Sequence, residues 1–359
     1  MPHSPLLSML PDELSLIRGM VDRYSPSTQE ADLSAYLVEE MTRRGFRAYR
    51  DAVGNAVGEV GSGDRHIALI GHIDTAPGIV PVREQNGLLY GRGSVDAKGS
   101  FATFVSAVAR IGQPQGTRLT VVGAVEEECP TSAGAWHLVD RMRPDCVFIG
   151  EPSGWDSVTI GYKGIIGFQY RMEQANAHFA GDNVRAGEKG IRLYNALANY
   201  VAMRAGTGEF DSPRLELRRF RASDDGITDT AEGYFAVRIP PGFDSDALIA
   251  YATEQAGDAR LICDQRLEGV LTEKNTPVVR ALLKGIRQTG GKPTFKKKTG
   301  TSDMCVVGPA WGCPVVAYGP GDSRLDHTPD EHLSLEEYAK AIDALTCALQ
   351  YLISESTAG

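Results

Sequence analysis

Three short runs of unbroken apolar residues leave this chain few architectures to choose from. "HIALIG" (His66 to Gly71), "RLTVVGAV" (Arg118 to Val125) and "CVFIG" (Cys146 to Gly150) do not alternate with polar residues. A strand with one face in water alternates, whereas a strand covered on both faces does not. Between the runs lie stretches of helical spacing. "LSAYLVEEMTRRGF" ends on the Gly45 stop, and "FATFVSAVARIG" sets Phe101, Phe104, Val105 and Val108 on one face. Strands alternating with helices predict an α/β fold, a mixed, mostly parallel sheet sandwiched by helices.

From about Gly164 the texture changes. "IIGFQYRMEQANAHF" and "GYFAVRIPPGF" alternate, with the helical "EKGIRLYNALANYVAMRAG" between them. That pattern predicts a smaller α+β domain with a partly solvated antiparallel sheet. After about Leu271 the α/β texture returns in "PVVRALLKGIRQTGG", "CPVVAYGPG" and "SLEEYAKAIDALTCALQYLI". The expected organisation is therefore discontinuous: 1–163 and 271–359 form the main domain, and 164–270 is inserted.

Composition narrows the function. A net charge of −9 over 359 residues gives no reason to expect nucleic-acid binding, which needs clustered Lys and Arg. The six cysteines are scattered without a CxxC pair, so neither a disulfide framework nor a thiolate zinc site is expected. "MPHSPLLSML" lacks the basic start and apolar run of a signal peptide, and no stretch approaches the ~20 apolar residues of a membrane span. A soluble protein of the reducing cytoplasm is the expectation.

In such a sheet, ligands collect at the carboxyl ends of the strands, and the ionisable residues fall there. "GHIDTAPG" puts His72 and Asp74 just past one apolar run, and "GRGSVDAKGS" puts Asp96 before a helix. "VEEE" puts Glu126, Glu127 and Glu128 past the second run, "IGEPSG" puts Glu151 past the third, and "YGPGDSRLDHTPDEH" carries His327. Taken singly, each has an ordinary reading: a backbone-satisfied histidine, a solvated acidic turn, a plain loop. Together, imidazoles and carboxylates at successive strand ends match the donor set of zinc, cobalt or manganese. A bridging carboxylate would let such a set hold two ions about 3.5 Å apart.

With "IGYKG" and "KTGTSDM" added, these motifs make nearly the whole chain resemble the M20 metallopeptidase family. That family includes acetylornithine deacetylase, succinyl-diaminopimelate desuccinylase and aminoacylases. The resemblance is strongest to members that release lysine or ornithine from the γ-carboxyl of the C-terminal Glu of an acidic amino-group carrier protein (LysW-like). It implies two divalent ions per subunit, Zn2+ or Co2+. One ion falls to His72 and Glu151 and the other to Glu128 and His327, with Asp96 bridging. It further implies Asp74 as the residue orienting His72, and Glu127 as the base that takes a proton from water and returns it to the departing amine. A register one residue earlier, with Glu126 and Glu127 as the working pair, is the alternative. His178 would steady the oxyanion across a homodimer, since the inserted domain serves as dimerisation and lid domain in that family.

For substrate, Thr299, Gly300, Thr301 and Ser302 offer donors to a carboxylate. Asp303 lies beside them or recognises a basic side chain, and Lys163 stands at the expected domain junction. Lys296, Lys297 and Lys298 are either a basic rim for an acidic carrier or a solvated face. The competing readings are a deacylase acting on free small molecules, such as N-acetylornithine, and a metal-free relative that only binds.

Overall fold

The computed structural model describes residues 9–176 and 183–356. They divide into two compact units. The first comprises Met1–Ile160, Thr272–Lys296 and Ser302–Gly359, and the second Gly161–Leu271 with Lys297–Thr301.

The first unit is built on a mixed sheet. The Ala56–His72 strand turns at Gly61 and Gly63, both at positive φ, and its Arg65–His72 half then runs parallel to Thr117–Ala124. On its other side it pairs in parallel with Cys146–Gly150, which in turn pairs in parallel with Val315–Ala317. Arg47–Arg50 and Ser157–Tyr162 join antiparallel, so the sheet is mostly rather than wholly parallel. The burial of Cys146–Gly150 is complete along its length, as an unbroken apolar run requires.

Helices cover the sheet because each presents an apolar stripe. Leu33, Leu37 and Met41 of Ala31–Arg43 are buried, and Gly45 beyond its end takes φ +86°, the left-handed conformation that closes helices. Phe101, Phe104, Val105 and Val108 of Lys98–Ile111 are all buried. The Pro277–Gln288 helix starts as its sequence dictates, with Pro277 in its first turn and the Thr276 hydroxyl accepting from Val279 N–H at 3.4 Å. Leu335–Ser356 packs on both Lys98–Ile111 and Pro277–Gln288, closing one core.

One row of glycines makes the helix–sheet contact close. Gly71 pairs with Gly123 on one side and Gly150 on the other, one to three residues before the strands deliver their ionisable residues. A Cβ on Gly123 would lie 2.8 Å from Ile73 Cγ2 and 3.1 Å from Phe101 Cζ, and one on Gly150 would lie 3.0 Å from Gly71 Cα. The row is the space into which Phe101 and Phe104 fit.

The second unit has its own antiparallel sheet, in the order Arg260–Leu267, Gly164–Ala175, Thr228–Ile239, Arg214–Asp224. Its helices are Ala186–Ala202 and Ser245–Ala256, and its separate core includes Phe168, Tyr170, Leu193, Leu197 and Phe235. The Lys297–Thr301 segment belongs to this unit, although the sequence reading leaves all of 271–359 in the main domain. The reason is local bonding: Lys163 N–H donates to Lys298 O at 3.2 Å, and Arg238 Nη1 donates to Thr301 Oγ1 at 2.9 Å.

Candidate metal centre

At the carboxyl ends of the first unit's strands, side chains from four separate segments converge. His72 is the last residue of its strand and is buried. Its Nδ1 faces the Asp74 carbonyl oxygen at 3.0 Å, which turns Nε2 toward Asp96 Oδ1 at 3.2 Å. Asp96 presents its other oxygen to His327, Nε2 to Oδ2 3.1 Å, and the same Nε2 is 2.9 Å from Glu128 Oε1. Ligand atoms of His72, Asp96 and Glu128 lie within 4.8 Å of one another, a group able to hold a metal ion.

Asp74 holds this arrangement together. Its Oδ1 accepts the backbone N–H of Glu127 at 3.0 Å, and its Oδ2 accepts that of Glu128 at 2.9 Å and the Ser27 hydroxyl at 2.7 Å. One carboxylate thus ties the glutamate loop to the strand that ends in His72. The loop is further pinned by Asn55 Oδ1, which accepts Val125 N–H at 3.0 Å, and by Glu30 Oε1, which accepts Glu126 N–H at 3.1 Å. Glu126 itself, at φ +62°, turns its carboxylate to the Thr131 hydroxyl at 2.5 Å. His327 also sits at positive φ, +61°. Left-handed backbone at non-glycine residues costs about 1–3 kcal/mol and clusters at functional sites.

The electrostatics are those of a site short of positive charge. Burial opposes a charged His72 ring, but hydrogen bonds to Asp74 and Asp96 outweigh it and hold its pKa well above the ordinary imidazole value. Hydrogen bonds to Asp96 and Glu128 push His327 up to about 10. Burial lifts Glu127 well above the carboxylate range, opposed by His72 and assisted by the charges of Glu151, Asp303 and Glu128. Burial likewise raises Asp303 to about 7, and neither of its carboxylate oxygens has a hydrogen-bond partner. An imidazole turned by a second partner, as His72 is by Asp74, so that Nε2 faces a carboxylate, a second imidazole facing two carboxylates, and an orphaned buried carboxylate nearby are what a cation site requires. The donor set suits zinc, cobalt or manganese.

The other residues singled out from the sequence fall as follows. Glu151 is buried just past Cys146–Gly150, outside the His72, Asp96 and Glu128 group, and its charge acts on Glu127. Ser302 and Asp303 belong to the first unit, whereas Lys163, Thr299, Gly300 and Thr301 belong to the second. Lys163 is buried with Nζ donating to Ser212 O at 2.5 Å, and burial lowers its pKa. Lys296 Nζ donates to Ser153 O at 2.6 Å, and Lys297 lies over the Phe210 ring, so neither is a simple solvated charge. His178 lies outside the described residues. Ser27, Glu30, Asn55 and Arg238 are supporting residues that sequence reasoning missed. Each is an ordinary polar residue far along the chain from what it holds, with no local pattern to mark it.

Known proteins bear on this geometry. The family model described as Peptidase family M20/M25/M40 matches residues 68–351. A LysW-lysine hydrolase of Deinococcus radiodurans is 44% identical over 353 residues, covering 94% of this chain and 96% of the relative. A LysW-lysine/LysW-ornithine hydrolase of Saccharolobus islandicus is 26% identical over 348 residues, covering 95% of this chain and 96% of that protein. The crystal structure of an M20 family metallo-carboxypeptidase from Sulfolobus solfataricus superposes with a TM-score of 0.80 at 16% identity, over 96% of this chain and 100% of the other. With the strand-end cluster lying inside the matched span, the chain is a hydrolase and belongs to peptidase family M20/M25/M40.

Proposed function

We propose that the protein releases lysine or ornithine from the C-terminal Glu γ-carboxyl of a LysW-like carrier protein by metal-dependent amide hydrolysis. The observation that carries the chemistry is Asp96, standing with one oxygen toward each imidazole of His72 and His327. The substrate rests on the likeness to the Deinococcus radiodurans hydrolase over nearly the full length of both chains. In this reading His72 and Glu151 would hold one zinc ion and Glu128 and His327 another, with Asp96 shared between them. Cobalt is the alternative metal. Divalent cations at such a site supply the Lewis acidity that activates water and polarises an amide carbonyl.

The remaining steps belong to the chain's own groups. Glu127, held by its backbone N–H on Asp74, takes the proton of the attacking water and returns it to the departing amine. Asp74 keeps His72 and the glutamate loop in register. Thr299 to Ser302 and Lys163 receive the carboxylate of the released amino acid, and Asp303 answers a cationic group. His178 steadies the oxyanion from the second subunit of a homodimer, in which the inserted 164–270 segment forms the dimerisation and lid part. The setting is the cytoplasm. Among the described residues no helix is long and apolar enough to cross a membrane.

The test is amine release by the zinc-loaded protein from carrier-linked lysine, carrier-linked ornithine and N-acetylornithine, measured side by side. Turnover of a carrier-linked form alone supports the reading. Turnover of N-acetylornithine alone keeps the metal chemistry and overturns the substrate.

A further inference from the structure

Glu331 is fully buried and lies four residues past His327. It touches neither imidazole of the cluster. Its Oε1 accepts the backbone N–H of Val95 at 3.1 Å and of Asp96 at 3.2 Å. Its Oε2 accepts from Arg92 Nη1 at 2.7 Å, and its carbonyl accepts Gly91 N–H at 3.3 Å. Arg92, also buried, gives Nε to Gly78 O at 3.1 Å and Nη1 to Thr328 O at 3.4 Å. Directly after Glu331, His332–Ser334 pairs antiparallel with Leu88–Tyr90, which leads into the Asp96 loop.

We infer that the Arg92–Glu331 pair is the positioning device that sets Asp96 and His327 at their mutual distance. The argument is one of connectivity. Asp96 and His327 are 231 residues apart in sequence, and each lies in a loop rather than inside a regular element. A loop residue keeps its place only if its backbone is tied down, and here the ties on the two loops meet in one ion pair. Glu331 fixes the N–H of Asp96 itself, while Arg92 reaches the carbonyl of the residue after His327. A buried carboxylate that exists only for stability needs any set of donors. This one spends its donors on the two loops that must agree to within a fraction of an ångström. Groups that orient metal ligands from behind are worth about 10–100-fold in metal affinity.

The inference rests on the proposed role of Asp96 and His327, and the experiment keeps the two separable. Zinc affinity is measured by chelator competition, and the visible spectrum is recorded after loading Co2+ alone, for the wild type, Asp96→Ala, Glu331→Gln and Arg92→Lys. Unfolding of the metal-free proteins is followed in parallel. Gln at 331 can still accept the Val95 and Asp96 N–H groups but sets a donor against the guanidinium. Lys at 92 keeps the buried charge and loses the planar fork. The expectation is a zinc affinity lowered about 10–100-fold in both positioning variants, with a shifted Co2+ spectrum and a loss in kcat rather than KM. If Glu331→Gln does not fold, Arg92→Lys alone carries the test. Unchanged zinc affinity and spectrum in folded variants, with only the unfolding midpoint lowered, overturns the inference while leaving the metal site standing. Unchanged zinc affinity in Asp96→Ala overturns the metal-site reading instead.

Discussion

At Asp74 a single carboxylate accepts two consecutive backbone N–H groups and a serine hydroxyl, while its own backbone oxygen orients His72. Its neighbour Glu127 has the freer part, and replacing it tests the division of labour. Glu127→Gln should lower kcat about 10²–10⁴-fold with zinc content unchanged by metal analysis; loss of bound zinc would make Glu127 a ligand instead. A second residue, remote from the site, contributes to acid stability. Arg118 Nη2 donates to His66 Nδ1 at 3.1 Å, so the ring is neutral with Nε2–H toward Thr120 Oγ1 at 2.9 Å. Burial, then the Arg118 charge, depresses its pKa to about 4. The unfolded chain, titrating near 6.5, therefore binds more protons between these values, and stability rises with pH across that window. As pH falls from 6.5 to about 4, this ring alone should cost on the order of 3 kcal/mol. Urea melts of His66→Gln should show a flatter dependence there, and identical slopes would refute the assignment. At this scale the sequence marks residues that carry a motif or end an apolar run, such as His72, Asp96 and His327. It is silent on Ser27 and Asn55, and it carries Glu331 inside a motif without marking its role, because a supporting residue is defined only by what the folded chain brings to it.

Between residue and domain, the unit that matters is the strand end seated on a helix. The glycine row of Gly71, Gly123 and Gly150 lets Lys98–Ile111 press Phe101 and Phe104 against the sheet directly beneath the cluster. Gly123→Ala would drive a methyl into Ile73, the residue between His72 and Asp74. Overpacking of this kind costs about 1–3 kcal/mol, so denaturant melts should show that loss together with reduced turnover; wild-type stability would mean that the row is incidental. The elements themselves were largely legible, since unbroken apolar runs and helical stripes are local signals that tertiary contacts reinforce. Less legible was the length of Ala56–His72. Its first half, Ala56–Val60, is also largely buried but is short, carries Glu59, and runs into an exposed turn at Gly61 and Gly63, so only the longer apolar second half reads as a strand. The pairing of His332–Ser334 with Leu88–Tyr90 was not legible either, because three-residue strands carry no period.

For the whole molecule, two separate cores predict two unfolding transitions by calorimetry. Among the described residues the first unit alone holds the carboxylate-rich cluster, so chelation should act on one transition alone. At free zinc about 1,000 times Kd the bound metal adds about 4 kcal/mol, a shift on the order of 10 °C for a unit of that size. Both transitions moving together, or neither, would refute this. The split of the "KTGTSDM" stretch between the units escaped sequence reading because no composition change accompanies it; Lys298 and Thr301 are tied to the second unit by hydrogen bonds, and Lys298 also by its ammonium over the Tyr162 ring.

The discontinuity of the first unit also sets a timetable for its synthesis. Cys146–Gly150 leaves the ribosome with one long edge bare, and its partner Val315–Ala317 follows more than 160 residues later. At ordinary rates of translation that is a wait on the order of ten to thirty seconds. His327 and the covering helix Leu335–Ser356 arrive later still. During that interval the nascent chain shows an apolar strand edge that a chaperone would recognise, while Asp96 and Glu128 lack the imidazole that faces them both. In the proposed reading, hydrolysis cannot begin until His327 has been made.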